Sequence, residues 1–135
     1  MKILLIEDNF YKASTIMDDL NSVGETDITL TRSRNAGLRE FHGAKKDNEP
    51  FDMVITDNYL PIYDNERNTE PYAADIIREI RRWCDETPIC VCSSEEFDID
   101  NIDANYTVTF NSSVYMVPMW ETVITDAKAY IATLK

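Results

Sequence analysis

Short, largely apolar runs alternate along the chain with longer segments in which apolar residues recur every three to four positions. Three of these runs, residues 3–6, 53–56 and 89–92, lead directly into polar residues. A continuous run of this length is typical of a parallel strand that is buried on both faces of a sheet. Residues 28–31 alternate between apolar and polar side chains instead, which indicates a strand at the outside of the sheet.

The segments between the runs have the spacing of amphipathic helices. They comprise the apolar positions 13–20 followed by Gly24, residues 33–43, the apolar positions 76–83, and residues 119–134. Strands that alternate with helices predict an α/β fold with right-handed crossovers. We therefore expect a doubly wound, five-stranded parallel sheet in a single domain that spans residues 1–135.

Three segments are less regular. Residues 63–72 are polar and contain a proline, which predicts a long loop, and residues 95–104 are weakly helical, so the fourth helix is expected to be altered. The fifth strand has two candidates, residues 106–110 and residues 114–117, since both alternate. The two could also form a hairpin around residues 111–113.

Polar residues close three of the predicted strands, and they should gather at one edge of the sheet. They are Glu7 and Asp8, then Asp57, then Ser93 and Ser94. Open α/β sheets bind ligands beyond the carboxyl ends of their strands. Three carboxylates held together repel each other, and a hard divalent cation such as Mg²⁺ with oxygen ligands is the natural way to offset that repulsion.

The same group of residues can carry phosphoryl chemistry. A carboxylate beside such a cation can attack phosphorus and form an acyl phosphate, while the ion neutralises charge on the phosphoryl oxygens. The hydroxyl of Ser93 could donate a hydrogen bond to the transferred group. An aspartate at the end of a single strand is more often only a cap or loop residue, so the prediction depends on the carboxylates arriving together.

Three stretches resemble the signature sequences of response-regulator receiver domains. They are ILLIEDN at residues 3–9, FDMVITDNYLP at residues 51–61 and TPICVCSS at residues 87–94. The resemblance covers nearly the whole chain and implies a flavodoxin-like fold with a Mg²⁺-dependent phosphoacceptor site.

The resemblance also implies a role for each matching residue. Asp57 matches the phosphoacceptor, and Asp8 matches the carboxylate that ligates the metal directly. Glu7 matches the acid that reaches the metal through water, and Tyr59 matches the position whose backbone carbonyl ligates it. Ser93 matches the hydroxyl that contacts the phosphoryl group.

One expected feature of the family is absent. Receivers carry a lysine followed by a proline at the end of the fifth strand, but here Val117 precedes Pro118 and no lysine lies between Lys46 and Lys128. If Val117 occupies that position, the Val117–Pro118 peptide bond is expected to be cis. Lys12 could supply the missing cation, although a solvated surface lysine is the more usual role.

The resemblance implies a stand-alone receiver rather than an enzyme. It would take its phosphoryl group from a sensor histidine kinase or a phosphotransfer protein and signal through contacts with a further, unidentified protein. The alternative is a degenerate receiver that binds partners without phosphorylation. A metal-dependent phosphatase, which also forms an aspartyl phosphate, would need an acid at the position of Tyr59.

The net charge limits the classes of binding partner, and the cysteines indicate the cellular compartment. Acidic residues outnumber basic ones by 25 to 13, giving a net charge of -12, which disfavours binding to nucleic acid or to an anionic membrane. The three cysteines follow no secretory signal, so we expect a cytoplasmic protein with reduced thiols. His42 is the only histidine, which argues against a histidine-based metal site or triad.

Overall fold

The computed structural model describes residues 1–83, 86–93, 107–111 and 117–134, and within them strands and helices alternate. The elements are β1 (Lys2–Ile6), α1 (Phe10–Ser22), β2 (Asp27–Thr31), α2 (Arg34–Lys46), β3 (Met53–Thr56), β4 (Tyr59–Leu60), β5 (Glu70–Pro71), α3 (Ala73–Arg82), β6 (Ile89–Ser93), β7 (Thr107–Asn111) and α4 (Val117–Thr133). None of the helices in these ranges is both long and apolar enough to cross a membrane.

Five strands form one sheet in the order β2-β1-β3-β6-β7, and every neighbouring pair is parallel. The order reverses direction beside β1, as in a doubly wound sheet whose crossovers lie on both faces. The α/β fold with a parallel sheet that the sequence predicts is therefore confirmed.

The sheet separates two hydrophobic cores. Leu4 and Ile6 of β1 face α2 and α3, whereas Ile3 and Leu5 face α1 and α4. This alternation explains why β1 is apolar without interruption: both of its faces are covered by helices.

Gly37 allows α2 to approach the end of β1 closely. A Cβ atom built on Gly37 would lie 2.5 Å from Ile6 Cδ1 and 2.9 Å from Ile6 Cγ1, distances too short for any side chain. Ile6 is fully buried and directly precedes Glu7, so this close packing fixes the strand end from which the first acidic residues emerge.

The fifth strand of the sheet is β7, which decides between the two candidates. Its register with β6 places Ile89 opposite Thr107 and Ser93 opposite Asn111. Val117 begins α4 instead of ending a strand, so Val117 does not occupy the family's lysine position, and residues 114–116 lie outside the described residues. No peptide bond among the described residues is cis, so the expected cis bond at Val117–Pro118 is also wrong.

The loop predicted over residues 63–72 ends earlier than expected, because a short strand lies within its last residues. Tyr59–Leu60 and Glu70–Pro71 pair as a small antiparallel ribbon before α3 begins. The predicted altered helix at residues 95–104 and the polar residue Ser94 lie outside the described residues.

Candidate functional site

The carboxyl ends of β1 and β3 bring three acidic side chains together. The backbone N–H of Asp57 donates to the carbonyl of Ile6 at 3.0 Å, which ties the residue after β3 to the last residue of β1. One carboxylate oxygen from each of Glu7, Asp8 and Asp57 lies within 4.8 Å of the others. The sequence-based prediction that these acids gather at one edge of the sheet is thus confirmed.

Glu7 is the most deeply buried member of this acidic cluster, with 2% of its surface exposed. Its Oε2 accepts a hydrogen bond from the N–H of Asn9 at 3.2 Å, and its Oε1 lies 3.1 Å from Lys12 Nζ. Burial, and then the negative charge of Asp57, raise the pKa of Glu7 to about 7. A buried carboxylate is costly unless hydrogen bonds or a nearby positive charge satisfy its oxygens.

Asp57 is held in place by its neighbours in the turn after β3. Its Oδ1 accepts a hydrogen bond from the N–H of Asn58 at 2.7 Å, and 15% of its side chain remains exposed. Burial raises the pKa of Asp57, and the attraction of Lys12 offsets only part of that rise. The side chain is therefore fixed yet still open to a reactant.

Lys12 lies inside the acidic cluster, against the expectation of a solvated lysine. Its Nζ is 3.1 Å from Glu7 Oε1 and 3.4 Å from Asp57 Oδ1, and it donates a hydrogen bond to the carbonyl of Cys92 at 3.1 Å. Burial would lower the pKa of Lys12, but attraction to Asp57 and Glu7 outweighs burial and raises it.

The start of α1 explains how Lys12 reaches the acids. Asn9 caps the helix, and its Oδ1 accepts a hydrogen bond from the N–H of Lys12 at 3.0 Å. With Asn9 as the cap, α1 begins at Phe10, three residues after Glu7, so Lys12 is in the first turn and beside the carboxylates. The capping asparagine is a sequence signal that places Lys12 in the first turn of α1, but it does not set the direction of the side chain.

The other predicted site residues lie nearby along the chain. Asp8 is half-buried next to Glu7, and Tyr59 lies two residues after Asp57 in β4. Ser93 ends β6, one residue beyond the carbonyl that Lys12 contacts. The metal-binding role of the Tyr59 carbonyl and the phosphoryl contact of Ser93 stay predictions.

The acidic cluster has the donor set of a magnesium site. Its ligand atoms are all hard oxygens, which is the chemistry that Mg²⁺ prefers. One oxygen from each of the three carboxylates lies within 4.8 Å of the others, close enough for a single ion to contact all three. The residues therefore fit the ion that the resemblance implies.

Solved structures support the fold. A response-regulator receiver domain protein from Clostridium thermocellum is 22% identical with a TM-score of 0.76, covering 99% of this chain and 98% of that one. The N-terminal domain of a response regulator/sensory box/GGDEF protein from Carboxydothermus hydrogenoformans is 18% identical with a TM-score of 0.70, covering all of both chains. No family model and no curated protein matches the chain.

This chain has the receiver fold. A third structure, the signal receiver domain of an HD domain-containing protein from Pseudomonas fluorescens, agrees at a TM-score of 0.72 and 13% identity, covering 98% of this chain and 97% of that one. These identities are low, so the likeness establishes the architecture, and the chemistry depends on this chain's own residues.

The receiver fold also locates the position of the missing lysine. Receivers carry that lysine at the end of the fifth strand, and the last described residue of β7 is Asn111, the register partner of Ser93. The described part of β7 contains no lysine. The ammonium group beside Asp57 belongs to Lys12, which is in α1 near the start of the chain.

The raised pKa of Glu7 predicts that the metal-free protein loses stability as pH rises. Between its unfolded value of 4.5 and about 7, the folded state binds a proton that the unfolded state has released. Unfolding free energy should fall across this window by on the order of a few kcal/mol, at about 1.4 kcal/mol per pKa unit, and then level off. Urea unfolding with a chelator present, repeated from about pH 5 to about pH 8, measures it.

The matched control for this pH dependence is Glu7→Gln, which has no carboxyl group at this position. We expect its unfolding free energy to vary much less over the same range. A wild-type protein whose stability is as flat as that of Glu7→Gln would show that Glu7 does not titrate in the window.

Proposed function

We propose that this chain is a receiver of two-component signalling that accepts a phosphoryl group on Asp57 with the help of Mg²⁺. The observation that carries the proposal is the cluster of Glu7, Asp8 and Asp57 oxygens at the carboxyl ends of β1 and β3 of a receiver fold. The donor would be a sensor histidine kinase or a phosphotransfer protein, and the output a contact with another protein.

Each residue of the site has a defined part in this proposal. Asp57 is the nucleophile, because its carboxylate is fixed by a hydrogen bond and still partly open. Asp8, Asp57 and the Tyr59 carbonyl would hold the ion, with Glu7 reaching it through water. The ion supplies charge neutralisation on the phosphoryl oxygens. The hydroxyl of Ser93 would hydrogen-bond to the bound phosphoryl group.

A second function has support from the strand end opposite Ser93. With no lysine in the described part of β7, the chain could be a receiver that binds its partner without being phosphorylated. The two functions differ in whether the acidic cluster recognises a phosphoryl group, so a phosphoryl mimic separates them.

Amide NMR spectra with Mg²⁺ and beryllofluoride test the proposal. Wild type should show shifts at Asp8, Asp57 and Ser93 that Asp57→Asn does not show. Shifts extending to β7 and α4 would mark a fully coupled switch, whereas confinement to the strand ends would mark weak coupling. A spectrum that beryllofluoride leaves unchanged would contradict the phosphoacceptor and favour the phosphorylation-independent module.

A further inference from the structure

The Lys12 ammonium lies where the ends of three neighbouring strands meet. Its three partners are Glu7 after β1, Asp57 after β3 and the carbonyl of Cys92 near the end of β6. Only 19% of the Lys12 side chain is exposed, so it is held by these groups instead of extending into solvent. A positive charge fixed this close to the proposed phosphoacceptor can also interact with a group that is bound to it.

The Lys12 ammonium could supply a positive charge that the described part of the fifth strand does not contain. A phosphoryl group bound to Asp57 carries negative charge on its outer oxygens, and charge-assisted hydrogen bonds are the strong means of binding it. The strand end beside Ser93 offers the neutral residue Asn111. Among the described residues, Lys12 is the basic side chain that forms an ion pair with Asp57.

We propose that Lys12 contacts the phosphoryl group on Asp57, supplying from the first helix the cation that receivers take from the fifth strand. This inference rests on the proposed function. Because Nζ is already 3.4 Å from Asp57 Oδ1, the oxygens of a phosphoryl group bound to that carboxylate come within its reach.

The reaction needs no further reactant. A carboxylate oxygen of Asp57 forms a bond to phosphorus while the bond from phosphorus to the donor's leaving atom breaks, and that atom departs with the electron pair. Lys12 stays protonated and transfers no proton. It is a binding group for the phosphoryl oxygens, and its positive charge counts most as the group is transferred.

Lys12 and the proposed metal both use Glu7 and Asp57, and Asp8 is the acid of the cluster that is left to the metal alone. Lys12 pairs with Glu7 and Asp57, and the ion pairs of the described residues include none between Lys12 and Asp8. Asp8 is half-buried, so its carboxylate is open to an ion on its own side of the acidic cluster.

The test compares Lys12→Met with Lys46→Met. Lys46 is exposed at the end of α2, so its replacement removes the same charge outside the site. Two quantities are measured with Mg²⁺ present: the rate of labelling by acetyl phosphate, followed by intact mass, and the affinity for beryllofluoride, followed by amide shifts. Lys12→Met should lose roughly tenfold to a hundredfold in both, and Lys46→Met should lose little.

A rescue variant separates phosphoryl binding from a merely structural role. Lys12→Met combined with Asn111→Lys returns an ammonium to the strand end beside Ser93, and it should recover most of the beryllofluoride affinity. If Lys12 only stabilised the fold, the loss would follow the melting temperature and Asn111→Lys would not restore affinity. Lys12→Gln, which keeps a donor for the Cys92 carbonyl, tests the same loss of charge if Lys12→Met does not fold.

The outcomes distinguish this inference from the proposed function. A wild-type protein that acetyl phosphate does not label overturns both. Labelling of wild type and Lys12→Met at equal rates, with equal beryllofluoride affinity, overturns the role of Lys12 and leaves the phosphoacceptor intact. A selective loss in Lys12→Met that Asn111→Lys repairs supports both.

Discussion

Replacing Trp120 with alanine is expected to lower the free energy of unfolding by about 3–5 kcal/mol. Trp120 is fully buried and is the largest of the buried side chains. It belongs to the core between the sheet and the helices α1 and α4, which it shares with Ile3, Ile16 and Cys90. Removing its ring would leave a cavity that the surrounding side chains cannot close. Urea unfolding of the two proteins measures the loss.

Trp83→Ala is the matched control, because the Trp83 side chain is 61% exposed and lies at the end of α3. Its ring packs edge-on against His42 at a centroid distance of 5.4 Å. We expect a loss below about 1 kcal/mol. Equal losses in the two variants would mean that α4 does not cover the sheet as described.

Replacing Lys12 with methionine should destabilise the metal-free protein, whereas Asp57→Asn should stabilise it. The first change leaves the buried Glu7 and the nearby Asp57 without their positive partner, at a cost of about 1–3 kcal/mol for a side chain that is partly exposed. The second removes a carboxylate whose raised pKa shows that its charge is costly in the folded state. Urea unfolding near pH 8 with a chelator measures both effects.

The double variant Lys12→Met, Asp57→Asn isolates the interaction between the two residues. Lys12→Met should cost less unfolding free energy once Asp57 is neutral, because no ion pair is then broken. The double variant should therefore be about 0.5–3 kcal/mol more stable than the sum of the two single changes predicts. Strict additivity would show that Lys12 and Asp57 do not interact in the folded protein.

The centre of the sheet could be predicted from the sequence because burial on both faces leaves an unbroken apolar signal. The strands β1, β3 and β6 all show it, and each is followed by the polar residues that the fold requires there. The edge strand β7 could not be assigned, since two nearby segments alternate equally well. What distinguishes them is pairing with β6, a contact between distant parts of the chain.

The acidic residues of the site were predictable for a topological reason, and the lysine was not. Parallel strands deliver Glu7 and Asp57 to the same edge whatever the details of packing. The direction of a lysine side chain depends on atoms that its own segment does not contain. Lys12 is fixed partly by the carbonyl of Cys92, which is 80 residues away in the sequence.

The position of the missing family lysine was misjudged for a related reason. Pro118 suggested the lysine–proline pair of receivers, which placed the lysine position at Val117. The proline is instead in the first turn of α4, where its lack of an N–H costs no helical hydrogen bond. A proline is thus compatible with both a strand end and a helix start, and only the sheet register shows which applies.

Intact mass after incubation with Mg²⁺ and acetyl phosphate tests the central claim most directly. The wild-type protein should gain the mass of one phosphoryl group, the gain should vanish with a chelator, and Asp57→Asn should not show it. A wild-type mass that stays unchanged, or an equal gain in Asp57→Asn, would contradict Asp57 as the phosphoacceptor.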